Sequence, residues 1–179
     1  MDTEAPGRPS RSLGRTIGGI GLLALAAIAL VVAFTWSEGE DGPSQFHQTV
    51  AVDLAGQPLD FAQYEGTPVV LNFFASWCPP CVAEMPALEA IHLDLQGELV
   101  VLGLDPSEPA DIAAKLVAEL GVTYPTGIDI DGVLLDRYEG FGMPTTVFIS
   151  ADGKVLDTHI GALTEGQFRD RIADNFGLG

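Results

Sequence analysis

The sequence predicts an α/β domain built on a mixed β-sheet, carried behind one N-terminal apolar span. Three observations point there. The runs Pro68–Ala75 and Glu98–Leu104 are almost wholly apolar and rich in β-branched residues, and each is followed by helical periodicity. They read as strands buried on both faces, as in a parallel βαβα unit. The runs Thr146–Ile149 and Lys154–Ile160 flank Ala151-Asp152-Gly153, the signal of an antiparallel hairpin. Ahead of all this, residues 16–37 hold no charged side chain.

Taken from the N-terminus, the chain divides into four parts. Residues 1–15 contain Arg8, Arg11 and Arg15. The 22 uncharged residues 16–37 would span about 33 Å as a helix, against a hydrocarbon core of about 30 Å. Trp36 sits where an interfacial aromatic belongs, and Glu38, Glu40 and Asp41 follow. The positive-inside rule makes 1–15 a cytoplasmic tail and puts everything after the span outside the cell. The competing reading is a cleaved signal peptide. The apolar run exceeds the usual h-region of about 7–15 residues, and no Ala-x-Ala site closes it, so an uncleaved signal anchor is expected. Residues 38–47 are acidic, with Gly39, Gly42 and Pro43, and read as a linker that includes His47. Residues 48–179 form the domain.

Within that domain, Thr49–Leu54 alternates weakly and ends in the turn signal Ala55-Gly56-Gln57-Pro58. From Pro79 to Leu95, Val82, Met85, Leu88, Ile91 and Leu95 recur at steps of three and four, marking a helix with one buried face. Ile112, Leu116 and Leu120 mark a second helix closed by Gly121. Val133–Tyr138 suits a short helix. Thr164 with Gln167 forms a capping box, and Phe168, Ile172 and Phe176 give the last helix its inner face.

Composition removes several functions. The chain of 179 residues carries a formal charge of −17, and after Ser37 five basic residues face 23 acidic ones. Nucleic-acid binding needs Lys and Arg against phosphate, so it is excluded. The two cysteines, Cys78 and Cys81, are too few for a disulfide-stapled miniprotein. His47, His92 and His159 are too scattered to complete a zinc site with them.

The chemistry lies in Trp77-Cys78-Pro79-Pro80-Cys81, which joins a buried strand to a helix start. Cys78 falls at the N-cap, and Pro79 at the first helical position, where a missing N–H costs nothing. The positive end of the helix favours a thiolate there. Thiols so placed ionise at about 3.5–7.5 rather than about 8.5. Cys78 is therefore the expected nucleophile. Cys81 returns to the same side of the first turn as the more buried, resolving thiol. Against this stand a permanent small-loop disulfide, which removes little chain entropy, and a copper module with His159 as a further ligand, for which the cysteine spacing is wrong. A peroxidase lacks its sequence frame, because Asn72-Phe73-Phe74-Ala75-Ser76-Trp77 precedes the cysteine.

The segment Val70–Pro86 resembles the active-site segment of membrane-anchored thioredoxin-like proteins of the TlpA/ResA type, and Gly142-Met143-Pro144-Thr145-Thr146 resembles their second active-site loop. The likeness runs from about residue 50 to 176. It implies a thioredoxin-like fold and thiol–disulfide exchange outside the cytoplasm, with no cofactor and no metal. It further implies that Pro144 is cis and packs beside the disulfide, and that Met143 offers its backbone to an extended substrate. Trp77 would shape the docking surface. Glu84 would tune the thiols or move their protons, against the plainer reading of a solvated surface side chain. Asn72 cannot take a proton and reads as a hydrogen-bonding residue within the sheet. The expected activity is reduction of disulfides in extracytoplasmic partner proteins, an apocytochrome c with its Cys-x-x-Cys-His thiols among them. A membrane thiol-electron carrier of the CcdA or DsbD kind would restore the dithiol. An oxidising or isomerising enzyme is the alternative direction.

Overall fold

The computed structural model describes residues 44–179. The expected cytoplasmic tail and anchor, residues 1–37, lie outside the described residues. Among the described residues, seven strands form one mixed sheet in the order β2-β1-β5-β4-β3-β6-β7. The strands are β1 (Val50–Asp53), β2 (Pro58–Asp60), β3 (Val69–Phe73), β4 (Val100–Asp105), β5 (Thr126–Ile128), β6 (Thr145–Ile149) and β7 (Val155–Ile160). The helices are α1 (Pro79–Asp94), α2 (Ala110–Leu120), α3 (Val133–Arg137) and α4 (Glu165–Phe176). β3, β4 and β5 are parallel, and β6 and β7 continue the sheet antiparallel from β3. The expected parallel half and hairpin half are thus joined at β3, the strand that leads to Cys78.

Strand alternation sorts the core. In β3, Val69, Leu71 and Phe73 enter one apolar cluster with Phe61, Leu102, Leu134 and Val147. Val70 enters the other, together with Cys78, Cys81, Met85, Leu88, Phe148 and Phe168. Because side chains alternate along a strand, Asn72 shares the face of Val70. That face also carries α1, so a polar residue in the middle of β3 points toward the helix of the cysteines.

Local signals explain the helix ends. Thr164 Oγ1 accepts from Gln167 N, and Gln167 Oε1 accepts from Thr164 N, which closes the expected capping box on α4. α1 begins at Pro79 and runs through Pro86 without interruption. Its buried residues are Cys81, Glu84, Met85, Leu88 and Ile91, so the inner face is displaced from the apolar pattern: Val82 is half-buried and Glu84 is buried.

Three features depart from the sequence expectation. β2 starts at Pro58, the last residue of the expected turn, and neither it nor β5 was anticipated. Each has three residues, too few for a periodic pattern. β5 also contains Gly127, where a Cβ would stand 2.5 Å from Val52 O. Close approach to β1, not strand propensity, selects that glycine. The third departure is the linker. Residues 44–47 form a turn packed on the domain, with Gln48 N donating to Ser44 O at 3.1 Å. Phe46 is buried against Phe61, ring centroids 5.0 Å apart, and His47 is buried with Nδ1 3.1 Å from Ser44 Oγ. The packed domain therefore starts before residue 48. The polar composition of 38–47 concealed one aromatic anchor.

Phe46→Ala should lower the unfolding free energy by about 3 to 5 kcal/mol, as loss of a buried phenyl does. A urea unfolding curve measures it. No change would return Phe46 to a linker.

Candidate active site

Cys78 is the N-cap of α1, in extended conformation at φ −99° and ψ 96°. Pro79 and Pro80 occupy the first two helical positions, and neither has an N–H to offer. The first available donor is Cys81 N, which points back to Cys78 Sγ at 3.3 Å. This is the ordinary N-cap bond to the third helical residue with sulfur in place of oxygen. The two sulfurs are joined in a disulfide, with Cα atoms 5.3 Å apart. Cys78 is 4% exposed and Cys81 0%, so an incoming group meets Cys78 first.

Glu84 lies one turn beyond Cys81 on the inner face of α1 and is 2% exposed. It is not a surface side chain. Its Oε1 accepts from Asn72 Nδ2 at 2.8 Å and its Oε2 from the Leu163 backbone N at 2.9 Å. Burial pushes its pKa up from 4.5 to about 7, while the two hydrogen bonds pull the other way. A carboxyl titrating there is poised to exchange a proton with a thiol at neutral pH. Asn72 does bond across the sheet, to Thr146 Oγ1 at 3.0 Å, but it also holds Glu84.

In the second loop the expected cis bond, Met143–Pro144, is present. Thr145 Oγ1 donates to Gly142 O at 2.6 Å, and Gly161 N donates to Pro144 O at 2.8 Å, which fixes the loop from both sides. Met143 packs against the cluster that contains both cysteines. Trp77 is 60% exposed beside Cys78, and Phe141, two residues before Met143, is 89% exposed. His159, the further ligand of the copper reading, has Nδ1 3.0 Å from Arg171 Nη2.

Sequence reasoning missed the brace on the approach to Cys78. Glu108 accepts from Ser76 N at 2.5 Å and from Ser76 Oγ at 2.6 Å. Asp105, at the end of β4, accepts from Ser107 N and Glu108 N at 2.9 and 3.0 Å and so shapes the loop that presents Glu108. Burial and the Glu108 charge raise Asp105 to about 6. Glu108 lies 32 residues from Ser76, and no local pattern marks the brace.

Comparison with known proteins agrees with this geometry. The AhpC/TSA family profile matches residues 43–158. The thiol-disulfide oxidoreductase ResA of Bacillus subtilis is 34% identical over 137 residues, covering 75% of this chain and 73% of that protein. The chain belongs to the ResA-type thiol-disulfide oxidoreductases. ResA of Halalkalibacterium halodurans is 32% identical over 65% of this chain and 66% of its own length. A secreted Mycobacterium tuberculosis disulfide oxidoreductase, described as homologous to E. coli DsbE, superposes with a TM-score of 0.65. It is 28% identical, over 73% of this chain and 98% of its own. As a ResA-type protein, the chain is a thiol–disulfide oxidoreductase with a thioredoxin-like fold.

The raised pKa of Glu84 ties stability to pH. Its folded value of about 7 exceeds its ordinary 4.5. Its contribution is therefore complete below about pH 4.5 and is lost as the pH rises toward 7, by up to about 3 kcal/mol. Asp105 shifts in the same direction, so the difference between two proteins isolates Glu84. Unfolding of oxidised Glu84→Gln in urea should show that much less loss between pH 5 and 8 than the unsubstituted protein. Equal slopes would mean that Glu84 titrates as an ordinary carboxyl.

Proposed function

We propose that this chain is a disulfide reductase anchored by residues 16–37, with its domain on the extracytoplasmic side. The observation that carries the reading is the pairing of an N-capping Cys78 with a buried Glu84 one turn beyond Cys81. The uncharged span after Arg8, Arg11 and Arg15 supports the anchor and its orientation. The secreted character of the M. tuberculosis relative supports the compartment.

In the reduced protein, the Cys78 thiolate attacks one sulfur of a partner's disulfide. A Cys78–partner disulfide forms, and the partner's second sulfur leaves as thiolate. Cys81 then gives its proton to Glu84, and the new thiolate attacks Cys78 Sγ. The Cys78–Cys81 bond forms as the partner's remaining sulfur leaves with the electron pair. The partner has gained two electrons, and its thiolates take protons from solvent. Trp77 and Met143 flank the approach to Cys78, and the loop of cis-Pro144 receives the partner chain in extended form. A cystine-bearing apocytochrome c is a partner of this class. A membrane thiol-electron carrier of the CcdA or DsbD kind would return the dithiol.

Trapping tests the roles of the sulfurs. Cys81→Ala should accumulate mixed disulfides through Cys78, and Cys78→Ala should accumulate none. Capture by the Cys78 variant alone would exchange the two assignments. Glu84→Gln should remove an inflection near pH 7 from the rate of resolution and leave the fold intact. An unchanged profile would take Glu84 out of the proton transfer.

A further inference from the structure

One row of residues crosses the sheet in register: Thr126 on β5, Gly103 on β4, Asn72 on β3 and Thr146 on β6. The row lies on the face that carries α1, beneath the helix of the cysteines. Gly103 is its one member without a side chain. A Cβ there would stand 3.1 Å from each of Tyr124 Cε2, Phe74 Cε1 and Thr126 Cγ2, so the edge of the Tyr124 ring shares with these two side chains the space that Gly103 leaves. The ring thus lies next to Asn72 in the row, and Tyr124 feels the charge of Glu84.

Tyr124 Oη, Asn72 Oδ1 and, on the ring that meets Tyr124 edge to face, His92 Nδ1 are buried polar atoms with no hydrogen-bond partner among the described residues. Tyr124 is 2% exposed and Asn72 0%. Both N–H bonds of the Asn72 amide are already used, toward Glu84 and Thr146. The oxygen can only accept, whereas the phenol can donate and accept. Buried groups of this kind are normally satisfied, and an ordered water with about three bonds is the usual means.

Proton traffic gives the arrangement a use. Glu84 Oε2 faces the Leu163 N–H, a fixed backbone donor, so a proton arriving on Glu84 settles on Oε1, the oxygen that faces Asn72. We propose that Tyr124 Oη and Asn72 Oδ1 together hold one buried water beside Glu84 Oε1, and that Tyr124 is a positioning residue for the proton Glu84 exchanges with Cys81. The water accepts from the phenol, donates to the amide oxygen and donates its second hydrogen to the ionised carboxylate. When Glu84 is protonated, the water turns and accepts from the new hydroxyl. No charge rests on Tyr124, whose own ionisation burial drives well out of reach. The other ionisable groups facing Tyr124 are Glu89, which accepts from its backbone N, and His92, with ring centroids 6.2 Å apart, both on α1.

The proposal rests on Glu84 as the proton acceptor, and two measurements on Tyr124→Phe keep it separate from that reading. Carboxyl-carbon NMR of the oxidised protein, with the Glu84 signal identified by its loss in Glu84→Gln, reports the titration directly. Removing the phenol takes away the donor that holds the water, and with the water its hydrogen bond to the ionised carboxylate, so the Glu84 acid dissociation constant should fall about tenfold, as for one hydrogen bond to a charged group. The Glu89 carboxyl serves as the internal control and should titrate as before. The second measurement is the urea midpoint: a hydroxyl bonded to water is missed on removal, so Tyr124→Phe should unfold at lower urea. An unmoved Glu84 titration, or a variant that gains stability because an unpartnered hydroxyl has been deleted, would overturn the proposal. Both results concern Glu84 in the resting disulfide form. A failure of Glu84 in catalysis appears instead as an unchanged exchange profile in Glu84→Gln.

Discussion

The first turn of α1 presents a single donor to the sulfur at its N-cap. Pro79 and Pro80 remove two of the N–H groups that a helix normally leaves unpaired at its start. What remains is concentrated at Cys81 N, directed at Cys78 Sγ. The pair of prolines therefore does two things at once. It fixes the backbone for helix entry, and it leaves the Cys78 sulfur dependent on the backbone of Cys81. Strand β3 delivers Cys78 to this place, and the brace from Glu108 to Ser76 holds the connecting loop.

The second constraint is the depth of Glu84. A carboxyl in an apolar layer is costly when ionised, yet this one has only two fixed donors, one from the sheet and one from the backbone at Leu163. The balance leaves it at about 7. More donors would hold it ionised, and fewer would hold it protonated. Either would spoil proton exchange with a thiol near neutrality. β3 and the segment before α4 meet at this one group, and Thr146 of β6 holds the Asn72 amide that bonds it, so both halves of the fold fix its position.

Much of this was legible in the residues because it is local. The N-cap at Cys78 follows from a strand, a cysteine and two prolines in succession. The capping box at Thr164 follows from a four-residue spacing. The cis bond at Pro144 came from resemblance of the surrounding loop, not from the proline itself. What could not be read depends on distant partners or on short elements. Glu84 stands three positions from Cys81 and three before Ala87, and the step alone does not say how deep it lies; Leu163, 79 residues away, does. Asn72 looked like a sheet residue because its second partner is on a helix. β2 and β5 are too brief to carry a pattern. Phe46 sat in an acidic, glycine-bearing stretch whose composition outweighed its one aromatic.

The central claim is that the helix start holds Cys78 ionised near neutral pH, and its most direct test is the pH dependence of alkylation of reduced Cys81→Ser, which leaves Cys78 as the one thiol. The account predicts that the rate follows a thiol ionising at about 7.5 or below. A midpoint at the ordinary value of about 8.5 or higher would contradict it, since the Cys81 N–H would then do nothing for the sulfur it faces.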